Sequence, residues 1–241
     1  MAKIKRIFIA GAPGAMWSGA DRLIRTGFGA RVDNSDITDN RNWKGHLGAF
    51  WNPSSDTGNN GKWVLDFAKY DRPEIEKMLD TAFEKPIPEG MDYIVRTHKA
   101  HNWLYHMDQI EELFPESDII TTIQTEPYKC LAWWQYCGGH DHHHDPYDHY
   151  ERDLEQVWNG IVEQTNLGIA WADKHNLERE LPNVSFFKKH YGEPSKLLYR
   201  MDEELLMNPD KLDHWGCRTG MARGYTNTNF ITIKYGNPRQ F

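Results

Sequence analysis

The sequence predicts an α/β fold with a central, mostly parallel sheet flanked by helices. Three observations predict it. Short apolar runs (Ile7–Ala10, Tyr93–Val95, Ile119–Ile123) recur along the chain and alternate with helical patterns. The first run ends in the small-residue turn Gly11-Ala12-Pro13-Gly14-Ala15, followed by the amphipathic segment Ala20-Asp21-Arg22-Leu23-Ile24. The chain carries no internal repeat, low-complexity linker or domain boundary, so residues 1–241 read as a single domain.

The elements follow in order. An opening strand of about six residues precedes the turn, too short for a signal-peptide core. Residues 30–65 read as loop, with Asn52-Pro53 and Asp56-Thr57-Gly58-Asn59-Asn60-Gly61 inside them. Pro73 to Leu79 starts a helix with proline in its first turn and acidic residues near its start. Asp92–Thr97 is the second strand, Leu104–Phe114 a helix, and Asp118–Ile123 the third strand. Glu126-Pro127 opens a helix through Trp133-Trp134, a pair read as core or cleft wall. Asp145-Pro146 signals the N-cap of a long helix whose apolar face runs through Tyr150, Leu154, Val157, Trp158, Ile161, Ile169 and Ala172. A strand at Lys196–Arg200, a short helix at Asp202–Leu206 and a strand near Phe230–Lys234 complete the chain.

Composition narrows the function classes. The net charge is −7 and no basic run occurs, which argues against a nucleic-acid or anionic-membrane surface. No stretch is long and apolar enough to span a bilayer. Cys130, Cys137 and Cys217 make neither an even framework nor a Cys-x-x-Cys pair, so a reducing, cytoplasmic setting is expected. The richest polar stretch is His140-Asp141-His142-His143-His144-Asp145-Pro146-Tyr147-Asp148-His149. It lacks an ordered ligand spacing such as His-x-x-x-His on a helix, and is expected to be a polar loop rather than a metal site.

The turn carries the clearest chemical signal. A strand, a glycine-bearing turn and a helix start aim backbone N–H groups at one point, a geometry suited to an anion. Gly11 and Ser18 are seven apart, as are the first Gly and final Ser/Thr of a nucleotide-binding P-loop. Met16 and Trp17 stand where that loop carries Gly and Lys, so ATP hydrolysis is not expected.

Three further segments extend this signal. Arg96-Thr97-His98 ends the second strand. Leu198-Tyr199-Arg200-Met201-Asp202-Glu203-Glu204-Leu205-Leu206-Met207-Asn208-Pro209 lies later in the chain, and Arg218-Thr219-Gly220 in the tail. With Ala10-Gly11-Ala12-Pro13, they resemble the sulfotransferase family in its 5′-phosphosulfate loop, Lys-Thr-His, Tyr-Glu-Asp-Leu-Leu-x-x-Pro and Arg-Lys-Gly segments. The length and the Pro-Gly-x-x-Trp-Ser variant look most like small sulfotransferase-like proteins of marine cyanophages.

The resemblance implies a three-layer P-loop-like fold and the cofactor 3′-phosphoadenosine 5′-phosphosulfate (PAPS). It implies sulfuryl transfer to a hydroxyl or amine of a small-molecule or glycan acceptor. His98 would be the general base, with Ser18 and Arg96 beside the transferred group. Pro13, Gly14, Ala15, Met16, Trp17, Ser18 and Gly19 would cradle the 5′-phosphosulfate. Arg218, Gly220 and Arg223 would hold the 3′-phosphate, and Trp17 or Trp215 would stack on adenine. Two departures stand out. Gly14 occupies the place of a family Lys or Arg, and Gln124-Thr125-Glu126-Pro127 through Trp133 lacks the Arg and Ser of the 3′-phosphate pair. Each lost charge-assisted bond is worth about 1.5–3 kcal/mol. A catalytically inactive nucleotide-binding or interaction protein of the same fold is the alternative reading.

Overall fold

The computed structural model describes residues 3–15, 17, 20, 21, 24, 70–80, 89–99, 101–136, 153–182, 184–191 and 229–237. The expected loop at 30–65, the histidine-rich stretch 140–149, Lys196–Arg200, Asp202–Leu206 and the 218–223 segment lie outside them.

Among the described residues, four strands form one sheet. β1 (Lys3–Gly11) is flanked by β2 (Tyr93–Lys99) and β3 (Asp118–Gln124), and β4 (Asn229–Lys234) follows β3, giving the order β2-β1-β3-β4. β1 pairs in parallel with both neighbours, with Phe8 opposite His98 and Gly11 opposite Thr122. β4 runs antiparallel to β3. The mostly parallel sheet is as expected. β1 extends beyond its apolar run because Lys3, Lys5 and Arg6 also join the ladder, where the neighbouring β2 backbone satisfies their polar groups.

Alternate side chains of β1 feed two cores. Ile7 and Ile9 pack with Trp17, Ala20, Ile24, Val95, Ile120, Phe186 and Ile231. Phe8 and Ala10 pack with Ile75, Leu79, Trp103, Met107, Ile110, Phe114 and Trp171. Trp17, Ala20, Asp21 and Ile24 are helical and buried, a spacing that keeps one helix face on the sheet.

After this first helix, the helices among the described residues are α1 (Arg72–Asp80), α2 (Met107–Leu113), α3 (Pro127–Tyr136), α4 (Leu154–Lys174) and α5 (Val184–Tyr191). Asp71 caps α1 reciprocally with Glu74: the Glu74 amide donates to Asp71 Oδ1 and the Asp71 amide to Glu74 Oε2, both at 3.0 Å. The expected helix over Leu104–Phe114 is instead a 3-10 turn (His101–Tyr105) followed by α2, with a break at His106. The long helix also differs. It starts at Leu154, where the extended Asp153 accepts the Glu155 amide at 2.8 Å, rather than at the expected Asp145. That cap leaves Leu154 half exposed and puts Gly160, Gln164, Thr165 and Gly168 on the buried face with Val157, Ile161 and Ala172. The small Gly168 brings α4 against β3: a Cβ there would stand 3.2 Å from Ile123 Cγ1.

Candidate functional site

The turn after β1 sits where the strand order reverses, between the carboxyl ends of β2 and β3. The Ala15 amide donates to the Ala12 carbonyl at 2.9 Å. Pro13 and Gly14 occupy the two central positions, and Gly14 has φ +83°. Proline followed by a left-handed glycine makes this a type II turn. A Cβ on Gly14 would lie 2.1 Å from the Cys130 carbonyl oxygen, because the backbone of α3 presses on the turn. The Lys or Arg that the family resemblance expects at this position has no room. Ala12 and Ala15 turn into a small core with Cys130, Trp134, Val157 and Ile161.

Gly11 answers to a second close approach. A Cβ there would meet Thr122 Oγ1 at 2.3 Å and Trp17 Cδ1 at 3.1 Å. Trp17 itself is buried between the first helix and the sheet with Ile7, Ile9 and Ile24. Its indole therefore contributes to the core, where the expectation had it stacking on adenine. Trp215, Met16, Ser18, Gly19, Arg218, Gly220 and Arg223 lie outside the described residues. Trp134 is buried and Trp133 half-buried, as the reading of that pair as core or wall expects.

β2 splits its polar residues between two faces. Thr97 and Lys99 face the first helix and hold Asp21, which is 2% exposed. Thr97 Oγ1 donates to Asp21 Oδ1 at 2.5 Å and Lys99 Nζ to Oδ2 at 2.6 Å. This clamp fixes the helix that follows the turn against β2. A buried carboxylate with two donors is far better placed than a lone one.

Arg96 and His98 face the opposite side, beside their lateral neighbours Arg6 and Phe8. Two adjacent guanidiniums repel, and Asp80 at the end of α1 answers both: its Oδ1 lies 2.8 Å from Arg6 Nη1 and 2.7 Å from Arg96 Nη1. Arg96 stands level with Arg6, five strand positions or about 16 Å before Gly11. Its guanidinium pairs with Asp80, away from the turn along the strand. His98 is fully buried, with its ring stacked on Phe8 at 5.2 Å. Arg6 Nη1 lies 3.2 Å from His98 Nε2. A guanidinium can only donate, so Nε2 accepts and the ring proton sits on Nδ1.

At the end of β3, Gln124 Oε1 accepts the Glu126 amide at 3.0 Å and Pro127 opens α3. The Glu126 carboxylate accepts from Tyr128 at 2.9 Å and pairs with Lys129. The edge where the resemblance places an Arg and Ser on a 3′-phosphate thus presents a carboxylate at a helix start.

Sequence reasoning missed Arg6, Asp21 and Asp80. Asp21 had a local signal, since it falls four residues after Trp17 on the buried helix face. Arg6 and Asp80 meet only through tertiary structure.

Cys130 is buried beside the turn. Burial pushes its thiol up to about 12. At pH 8 only about one thiol in ten thousand is then thiolate, so folded protein should resist iodoacetamide at Cys130 and react once unfolded in urea. Peptide mass spectrometry reads both states; equal labelling rates would contradict this packing. The chain matches no family model, and no curated protein or solved structure matches it.

Proposed function

We propose that the chain is a single-domain, cytoplasmic, sulfotransferase-like protein of three-layer P-loop-like fold that binds PAPS at the turn after β1. The observation that carries this reading is the position of that turn. It follows the strand flanked on both sides by parallel neighbours and leads into a helix clamped by Asp21, the place where an α/β sheet receives a phosphate-bearing ligand. Sulfuryl transfer is an in-line displacement that rests on positioning and on donors for charge at the bridging oxygen. In this reading the backbone of residues 13–19 and the Ser18 hydroxyl receive the 5′-phosphosulfate. Arg218, Gly220 and Arg223 receive the 3′-phosphate, and the acceptor is a small molecule or glycan with a hydroxyl or amine. His98 takes the acceptor proton after Arg6 turns wholly to Asp80 and releases Nε2.

One observation favours the second reading, a nucleotide-binding protein without turnover. His98 is fully buried with Nε2 occupied by Arg6, and Gly14 leaves no space for a cation.

A thermal-shift titration with adenosine 3′,5′-bisphosphate, with ATP and AMP as controls, tests the binding common to both. Saturable stabilisation of about 2.7 kcal/mol at a hundredfold excess over Kd is expected for the bisphosphate alone. No shift with any nucleotide would remove both readings. Binding without sulfuryl transfer to any hydroxyl or amine in an acceptor screen would select the second.

A further inference from the structure

Away from the turn, three metal-ligating side chains meet where the end of α4 passes α2. Asp108 and Glu111 lie one turn apart on α2, so both carboxylates stand on one helix face. His175 is the C-cap of α4, with its ring against Trp171 at 4.1 Å. One ligand atom from each of the three lies within 4.8 Å of the others. Two ammonium groups border the cluster: Lys174 Nζ is 2.7 Å from Asp108 Oδ1, and Lys234 pairs with Glu111 Oε1.

The carboxylates and lysines alone make an ion-pair network. The imidazole does not fit that account. His175 Nε2 is buried without a hydrogen-bond partner among the described residues and stands 3.4 Å from Glu111 Oε2. A charge-assisted N–H···O bond closes to about 2.7–2.9 Å. Two ligands of one tetrahedral ion, each bound at about 2.1 Å, are separated by about 3.4 Å.

We propose that His175 Nε2, Glu111 Oε2 and the Asp108 carboxylate form a binding site for a first-row divalent cation of the Zn²⁺ or Co²⁺ type, with water in the fourth position. Mixed imidazole and carboxylate donors suit such ions better than Ca²⁺ or Mg²⁺, which take oxygen sets. Lys234 stays on Glu111 Oε1 as an outer partner that orients the carboxylate. Lys174 releases Asp108; both side chains are more than half exposed, and exposed pairs are weak. The site joins α2 to the end of α4.

Free imidazoles at 140–149 would compete for such ions in a titration, so the test removes them first. Zn²⁺ is titrated calorimetrically into chelator-stripped full chain in which His140, His142, His143, His144 and His149 are replaced by Gln. One equivalent of binding is expected. His175→Gln and Asp108→Asn, added singly, should each weaken it at least about tenfold. Asp108 is exposed, so its Asn variant keeps the fold, checked by an unchanged circular dichroism spectrum. Lys174→Met should tighten binding about two- to fivefold by removing the competing ammonium. Absence of saturable binding in the His-loop background, or equal affinity in His175→Gln, overturns the proposal.

Discussion

Gly14→Lys, which installs the cation that the sulfotransferase resemblance expects, should destabilise the protein instead of supplying a phosphate ligand. Two costs combine. A side chain at φ +83° meets the steric penalty of left-handed backbone, about 1–2 kcal/mol. Its Cβ also falls 2.1 Å from the Cys130 carbonyl oxygen, which is backbone and cannot swing aside. Overpacking of this kind typically adds about 1–3 kcal/mol. The sum of about 2–5 kcal/mol is a large share of the stability of an ordinary domain, about 5–15 kcal/mol. Gly14→Ala isolates the Cβ effect and should show most of the loss. Urea unfolding of both variants checks the claim; a midpoint equal to wild type for Gly14→Ala would show that α3 does not press on the turn.

Asp21→Ala is expected to cost about 3–5 kcal/mol, the range found when one partner is removed from a buried ion pair. The Lys99 side chain is 14% exposed and would keep its charge beside the Thr97 hydroxyl with the carboxylate gone. Lys99→Met in the Asp21→Ala background should regain part of the loss, because it removes the stranded ammonium. That coupling separates the ion pair from simple packing. A cost under about 1 kcal/mol for Asp21→Ala would mean that water or another group replaces the carboxylate. The effect bears on function, because the clamp sets where the helix after the turn begins relative to β2.

The sheet was readable because its strands carry their burial in their own residues. Ile119-Ile120 and Ile94-Val95 are apolar on successive positions, as strands covered on both faces must be. The starts of α1 and α3 were readable for a similar reason, since Pro73, Glu74 and Pro127 act through local backbone chemistry. The start of α4 was misplaced because Asp145 and Asp153 offer the same capping chemistry, and composition cannot choose between them. The candidate site was less legible. The Pro-Gly pair announces a turn, but nothing local reveals that α3 fills the space above Gly14. Parity along β2 does place Arg96 and His98 on one face and Thr97 and Lys99 on the other. Which carboxylates wait on each side depends on Asp21 and Asp80, both distant from β2 in sequence.

The parallel pairing of the first strand has a consequence for how the chain assembles. β1 is made before its partners: Ala10 pairs with Thr121, 111 residues later, and Thr121 bonds to Thr232 after a further 111. Among the described strands no neighbour is supplied locally, so each pairing must close a long loop before its contacts reward it. Ile231, which completes the core around Ile7 and Ile120, arrives last. Until then the part of that face that Ile231 covers lacks its partner, and exposed apolar surface on nascent chains is aggregation-prone.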